Sequence, residues 1–168
     1  MKLYHFSEES NIQVFEPRKI YNQAEAKVWT IDAYHAPHYY FPRECPRVCL
    51  WPKEDTTEDD LVKFFGMSKT KRIVAIETGW YDRLKKGTIY KYTFDSEGFK
   101  LEEPNAGYYT TNLTVKPLSI EKIDDLISAI LHEGIELRVT PSLIPLKERI
   151  LESTVNFSMI RMRNAVQE

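Results

Sequence analysis

Four residues in the N-terminal half of the chain have the types that bind metal ions. His35 and His38 are followed by Cys45 and Cys49. Thiolates and imidazoles are the ligands of structural zinc sites, but this spacing is not a standard zinc motif and a proline interrupts each pair. We prefer ordinary packing, because a buried cysteine is most often a small core residue. A metal-dependent enzyme that uses these four residues is one alternative.

The same segment contains a candidate nucleophile. Cys45 lies close in sequence to Arg43, Arg47, His35 and His38, and cationic neighbours lower the pKa of a thiol. No signature of a cysteine protease accompanies it, so this hypothesis is weaker than the metal site. The sequence also lacks a glycine-rich phosphate loop, a nucleophile elbow and a zinc-protease motif.

Two pairs of adjacent carboxylates are candidates for electrostatic or acid–base chemistry. Glu102 and Glu103 form the first pair, and Asp124 and Asp125 form the second. The second pair lies at the start of a helical pattern, where acidic side chains interact favourably with the helix dipole. A structural role at the helix start therefore explains the second pair, and the first pair is the better candidate for chemistry.

A histidine in the first apolar segment is more informative. His5 lies within the predicted strand Leu3–Phe6. A lone histidine in a strand is usually structural, but at the end of a strand its ring can donate hydrogen bonds into a cleft. Elsewhere, the guanidinium groups of Arg43 and Arg47 could bind a phosphate through paired hydrogen bonds. A structural ion pair is an equally good interpretation of each arginine.

The opening strand resembles that of the ADP-ribosyltransferase superfamily and the related RNA 2′-phosphotransferases. There the strand supplies a His or Arg that holds a ribose of NAD, and here Leu3–Ser7 would supply His5. Residues 28–32 with Tyr39 are similar to the second strand of these families and its following helix, which carries a Tyr near the nicotinamide. Residues 107–112 resemble their late strand pair.

One position departs from the superfamily pattern. Active transferases usually place a Glu at the start of the late strand, where it stabilises the cationic transition state. Here that position is Ala106 or Gly107, and Glu102 and Glu103 come a few residues earlier. A non-catalytic binding or interaction protein on the same fold is therefore the first alternative. Whether the protein is an enzyme stays open at this point.

The resemblance implies a single-domain, ADP-ribosyltransferase-like α+β fold of split β-sheets with flanking helices. It implies an NAD- or ADP-ribose-type ligand, with NAD as the cofactor and cleavage of the nicotinamide glycosidic bond as the reaction of an active member. Catalytic candidates are His5, Glu102 and Glu103. Candidate ligand-binding residues are His5, Ser7, Trp29, Thr30, Tyr39, Arg43, Arg47 and Tyr109. The whole chain also resembles an uncharacterised bacterial family, through stretches such as residues 41–47 and 134–141.

Length and composition set outer limits on this interpretation. The chain has 168 residues, which predicts one domain over residues 1–168. A net charge of −2 makes nucleic acid an unlikely partner, since such binding depends on a surplus of Lys and Arg. Two cysteines do not form a disulfide framework. We see no signal peptide and no membrane-spanning stretch, which favours the cytoplasm.

The predicted elements alternate irregularly, which indicates an α+β fold. Strands are predicted over Leu3–Phe6, Lys27–Asp32, Arg47–Trp51, Arg72–Glu77, Thr88–Phe94, Phe99–Leu101, Tyr108–Val115 and Ile135–Val139, with Thr88–Phe94 and Phe99–Leu101 forming a hairpin. Helices are predicted over Ala33–Phe41, from an N-cap at Thr57 to Gly66, over Ser119–Glu133 and over Ile144–Ser153.

Overall fold

The computed structural model describes residues 1–20 and 22–167, and these form a mixed α+β structure. The strands of this part of the chain are β1 (Lys2–Ser7), β2 (Val28–Ile31), β3 (Arg47–Trp51), β4 (Ile73–Glu77), β5 (Ile89–Asp95), β6 (Lys100–Glu103), β7 (Tyr108–Thr111), β8 (Ser119–Ile123), β9 (Glu136–Thr140) and β10 (Asn156–Ile160). Its α-helices are α1 (Glu58–Phe65), α2 (Tyr81–Lys86), α3 (Leu126–His132) and α4 (Ile144–Leu151). The short helix predicted within Ala33–Phe41 is a 3-10 helix over Ala36–Tyr39.

The chain divides into two compact units, each built from two separated segments. The first unit comprises Met1–Tyr40 and Thr88–Asp124, and the second comprises Phe41–Gly87 and Asp125–Glu168. The chain therefore passes from one unit to the other after Tyr40, after Gly87 and after Asp124. No linker of distinctive composition marks these points in the sequence, which is why the sequence predicts a single domain.

The first unit contains a six-stranded sheet in the order β6-β7-β2-β1-β5-β8. All of its neighbouring strands run antiparallel. β1 lies inside the sheet and pairs with β5 along its whole length, from Lys2 opposite Asp95 to Ser7 opposite Tyr90. Its pairing with β2 is in register at Tyr4 and Ile31.

One face of this sheet carries the apolar core of the first unit. Phe15, Val28, Tyr92 and Phe94 form a buried cluster. Phe15 lies edge-on to both Tyr92 and Phe94, with ring centroids 5.1 Å apart in each case. The hydroxyl of Tyr92 donates to the carbonyl of Glu9, so the segment after β1 is held against this face.

The second unit contains a four-stranded sheet in the order β10-β3-β4-β9. Every residue of β3 and β4 is buried, as expected for strands that are covered on both faces. Thr57 accepts a hydrogen bond from the backbone of Asp60 and so caps α1 as its sequence predicts. α1 and α4 contribute to the core, which consists of Val48, Leu50, Phe64, Phe65, Ile73, Ala75, Leu143, Ile150 and Val155.

Two sequence predictions about this fold are wrong. The helix expected over Ser119–Glu133 is a strand followed by a shorter helix, because β8 pairs with β5 and Asp125 then caps α3. The apolar residues of β8 and α3 together follow the spacing of a single amphipathic helix, which is why the sequence predicts one long helix here. The expected hairpin is also absent, since β5 pairs with β1 and β8 whereas β6 pairs with β7. The turn between β5 and β6 does form, with Gly98 at φ 84°.

The burial of α3 leads to a prediction with a matched control on the same helix. Leu126 is 0% exposed and Leu131 is 53% exposed. Leu126→Ala should lower the free energy of unfolding by about 2–5 kcal/mol, since it leaves a cavity. Leu131→Ala should change it by less than about 0.5 kcal/mol. Urea denaturation of both variants checks this, and equal losses would contradict the placement of the helix.

Candidate functional site

His5 projects from the middle of the first unit's sheet and contacts the neighbouring strand. Its Nδ1–H donates to the carbonyl of Trp29 on β2, at 2.9 Å. Because the partner is a carbonyl, Nδ1 must carry the proton. The ring also lies edge-on to Phe15, with centroids 5.0 Å apart. His5 therefore fixes the main chain of Trp29 and forms part of the packing on the core face.

The alternation of side chains along β1 separates the predicted site residues. Successive residues of a strand point to opposite faces. His5 contacts Phe15 on the core face, whereas Phe6 stacks on Tyr39 with ring centroids 6.4 Å apart. The predicted pocket in which His5 and Tyr39 share one ligand is therefore not formed. The physical reason is that these two residues lie on opposite faces of the sheet.

Thr30 and Tyr109 lie on the same face as His5. They are directly opposite each other on β2 and β7, and Val28, two residues before Thr30, belongs to the core cluster. The hydroxyl of Thr30 donates to the carbonyl of Tyr109 at 3.0 Å. Thr30 therefore has a structural hydrogen bond within the ladder. Tyr109 therefore lies on the same face of the sheet as His5.

The opposite face carries several aromatic rings, and we call Phe6, Trp29, Tyr39 and Tyr108 the aromatic row. The hydroxyls of Tyr39 and Tyr108 are hydrogen-bonded at 2.5 Å. Trp29 lies edge-on to Tyr108, with ring centroids 5.9 Å apart. Nε1 of Trp29 is buried and has no hydrogen-bond acceptor in the described part of the chain. A buried donor without an acceptor is costly, by about 1–3 kcal/mol, and calls for an explanation.

An ionised carboxylate lies beside the aromatic row. Lys27 Nζ donates to both oxygens of Glu102, at 2.8 and 2.9 Å, and the hydroxyl of Thr110 donates to Oε2 at 2.9 Å. Thr110 is directly opposite Trp29 on the neighbouring strand. The hydrogen bond from Lys27, followed by that from Thr110, lowers the pKa of Glu102. Glu102 is therefore a carboxylate at neutral pH.

This carboxylate lines a groove of about 410 Å³ at the β6–β7 edge of the sheet. Lys27, Lys100, Glu102 and Thr110 provide most of its polar groups. Lys100 is directly opposite Thr110 on β6 and lines the same groove as the Lys27–Glu102 pair. Glu25 also lines the groove, which thus combines two lysines with two carboxylates beside the aromatic row.

The remaining predicted site residues are placed elsewhere. Glu103 is exposed, and its carboxylate accepts a hydrogen bond from the backbone of Asn105 at 3.2 Å. The hydroxyl of Ser7 accepts one from the backbone of Glu9 at 3.1 Å. Arg43 and Arg47 belong to the second unit.

Arg47 has a structural environment. It is 1% exposed, donates to the carbonyl of Cys45 at 2.8 Å and lies over the ring of Phe41. These contacts favour the structural interpretation that the sequence left open for this arginine.

An Asp–His pair next to the aromatic row escaped the sequence interpretation. His35 Nδ1 donates to Asp32 Oδ1 at 2.7 Å, and the backbone of His35 donates to the same oxygen. Gly107 lies against this pair with φ 73°, and a Cβ there would collide with His35 Nδ1. The spacing of Asp32 and His35 after a predicted strand was the available signal. The sequence patterns indicate His35 only as a metal ligand or as a neighbour of a thiol.

The metal hypothesis finds no geometric support. Among the residues that the structure describes, no group of three or more His, Cys, Asp or Glu side chains is arranged to hold a metal ion. Cys45 and Cys49 are buried free thiols, and burial raises the pKa of each to about 12 despite the opposing effect of Arg47. The surroundings of Cys45 therefore oppose its use as a nucleophile.

The close approach at Gly107 can be tested against a second glycine with positive φ. Gly98 has φ 84°, and a Cβ there would meet Leu113 at an ordinary 3.5 Å. Both substitutions to Ala carry a backbone cost of about 1–2 kcal/mol. Gly107→Ala should lose about 1–3 kcal/mol more, because it also pushes His35 off Asp32. Denaturant unfolding measures the difference, and a smaller loss for Gly107→Ala would refute the contact.

The raised thiol pKa values predict slow reaction with a thiol reagent. At pH 8 a group of pKa about 12 is a thiolate in only about one molecule in ten thousand. Native protein should therefore react with dithionitrobenzoate far more slowly than protein unfolded in guanidinium, in which both cysteines should react. Rapid modification of the native protein would show that a thiol is activated.

Comparison with known proteins gives one match. A family model described as "Family of unknown function (DUF6886)" matches residues 4–165. No curated protein and no solved structure matches the chain. Among the residues that the structure describes, no helix has the length and apolar character needed to cross a membrane.

The expectation of an uncharacterised family is confirmed by the family match. Since the family model covers almost all of the chain, the chain belongs to the family of unknown function DUF6886.

Proposed function

We propose that the first unit binds a ligand of the NAD or ADP-ribose type on the face that carries the aromatic row. The observation that carries the proposal is an ionised Glu102, held next to Trp29 through Thr110. An aromatic surface and a carboxylate together suit a ligand with a flat ring joined to a sugar. The proposal includes an ADP-ribosyltransferase-like fold and a cytoplasmic location.

Each part of such a ligand has a counterpart on this face. Trp29, Tyr39 and Tyr108 offer ring surfaces for stacking on the nicotinamide or adenine. The buried Nε1 of Trp29 is a donor for a ligand carbonyl or hydroxyl. Lys27 and Lys100 line the adjacent groove beside Glu25 and Glu102, and their ammonium groups are the donors for the phosphates.

His5 has a positioning role in this proposal. It does not reach the ligand, since it points to the core face. Its hydrogen bond to the carbonyl of Trp29 holds the strand that carries the indole. This replaces the role in ribose binding that the superfamily resemblance implies for His5.

Catalysis would require Glu102 to face a developing cation. When the glycosidic C–N bond of NAD breaks, the bonding electrons leave with nicotinamide and the ribosyl group becomes cationic until an acceptor nucleophile bonds to it. Glu102 has the right charge to stabilise that cation. Lys27, however, already binds both of its oxygens. This contact favours the non-catalytic binding protein as the second candidate function.

Binding can be tested by titrating the protein with NAD and ADP-ribose and recording heat and tryptophan fluorescence. We expect saturable binding that Glu102→Gln and Trp29→Phe weaken by about tenfold, since each removes one direct contact. Trp80→Phe is the matched control, because Trp80 lies in the second unit. Absence of heat from both ligands at millimolar concentration would overturn the proposal.

A second readout separates the two candidate functions. Release of free nicotinamide from NAD, followed by chromatography, should occur only if the protein is a transferase or hydrolase. Glu102→Gln should abolish that release, because it removes the negative charge that opposes the cation. Saturable binding without any release of nicotinamide would support the non-catalytic candidate.

A further inference from the structure

One edge of the first unit's sheet is an exposed strand. β6 stands at the end of the strand order, and all four of its residues are exposed. Within the described part of the chain, it pairs with β7 alone. An edge strand directs backbone N–H and C=O groups away from its own sheet, and these groups can pair with a further strand. β6 is therefore a place where a strand from another molecule can be added.

We propose that β6 pairs with β6 of a second copy of this chain, antiparallel and with Leu101 on the two-fold axis. The charges of the strand carry this choice of partner, because Lys100 and Glu102 flank Leu101. In this register, Lys100 of each copy lies directly opposite Glu102 of the other. Opposite charges at directly opposed positions stabilise a strand pair. Leu101 is 50% exposed, and its side chain meets the same side chain of the second copy.

Lys100 and Glu102 lie on the same face of the sheet, although the register between β6 and β7 shifts between Leu101 and Glu103. Lys100 is directly opposite Thr110. The hydroxyl of Thr110 donates to Oε2 of Glu102 at 2.9 Å. Both charged groups therefore lie on the face that carries the aromatic row, as their contact across a two-fold axis requires.

Neighbouring registers bring like charges together. A two-fold axis keeps each side chain on its own face, so in every register one residue of β6 lies on the axis. With Lys100 on the axis, two ammonium groups are directly opposed, and with Glu102 on the axis, two carboxylates are. Such pairs are destabilising. Charged residues commonly protect an edge strand from pairing, but their order around Leu101 makes β6 complementary to itself.

Glu102 has room for a second ammonium group. In the described part of the chain, Lys27 and Thr110 donate three hydrogen bonds to it, and a carboxylate has about four acceptor positions. Its side chain is 30% exposed. The groove at this edge contains two lysines and two glutamates, so two such edges do not repel each other through a surplus of one charge.

The association is tested with the full chain in the absence of any ligand, so its failure would leave the proposed ligand binding untouched. Sedimentation velocity is recorded from micromolar to millimolar protein. A pair of short strands is a small interface, and small interfaces are transient. We therefore expect a monomer on dilution and a dimer at high concentration. A monomer over the whole range would overturn the proposal.

Two substitutions distinguish the two edges of the sheet. Leu101→Asp should weaken dimerisation at least tenfold, because it places two carboxylates on the axis. Leu118→Asp is the matched control, since Leu118 is 59% exposed and directly precedes β8, the strand at the opposite edge. Its dimer should be as stable as that of the unchanged protein. A dimer that survives Leu101→Asp, or one that only Leu118→Asp disrupts, would contradict pairing through β6.

A cross-link tests the register itself. Directly opposed residues of antiparallel strands have Cα atoms about 4.5–5.5 Å apart. A short bis-maleimide should therefore join two copies of Leu101→Cys into a covalent dimer. Leu118→Cys and the unchanged protein should stay monomeric on a denaturing gel, since Cys45 and Cys49 are buried. If the Leu101 variant sediments as a dimer but cross-links no better than these controls, the proposed axis is wrong.

Discussion

The pleat of β1 decides which side chains of the first unit can act together. This strand lies inside the six-stranded sheet and pairs with β5 along its whole length, so its register is fixed. A shift by one residue would exchange its two faces. With the observed register, His5 joins the apolar core and Phe6 joins Tyr39. The aromatic row and the core face are consequently separate chemical environments.

The two faces remain connected through the main chain of Trp29. His5 holds the carbonyl of this residue from the core side, and the indole lies among the aromatic rings on the other side. Thr110, opposite Trp29, then fixes the carboxylate of Glu102. A short chain of contacts thus runs from a core histidine to an ionised surface group. In such an arrangement, packing on one face sets the geometry on the other.

Sequence patterns predicted the buried strands well because their signals are local. Arg47–Trp51 lies between two prolines and forms β3 with these same bounds, and Thr57 caps α1 as expected. The patterns failed where the apolar residues of two successive elements, β8 and α3, share one helical spacing. They also failed for β10, whose pairing with β3 joins residues about a hundred positions apart. Long-range pairing leaves no signal within a short window of sequence.

The candidate site was predicted in its parts but not in its arrangement. Glu102, Trp29 and Tyr39 were all identified from residue type or resemblance, and they lie on one face. The assignment of His5 to the same pocket failed, because the face that a strand residue occupies depends on the register of its neighbours. Lys27 was not identified, since its partner Glu102 is 75 positions away in the sequence. The Asp32–His35 pair is not evident from the sequence, because His35 and the nearby cysteines together have the residue types of a metal site.

The interleaved path of the chain has a consequence for how the protein is made. A ribosome delivers residues in order, and the first sheet gains its edge strand β8 only when Ser119–Ile123 have emerged. The second sheet waits for β10 at Asn156–Ile160, near the end of the chain. Neither hydrophobic core can close on a half-made polypeptide, although domains generally fold as units during translation. Until β10 has been made, the buried apolar residues of β3 therefore lack the neighbouring strand that pairs with them in the finished sheet.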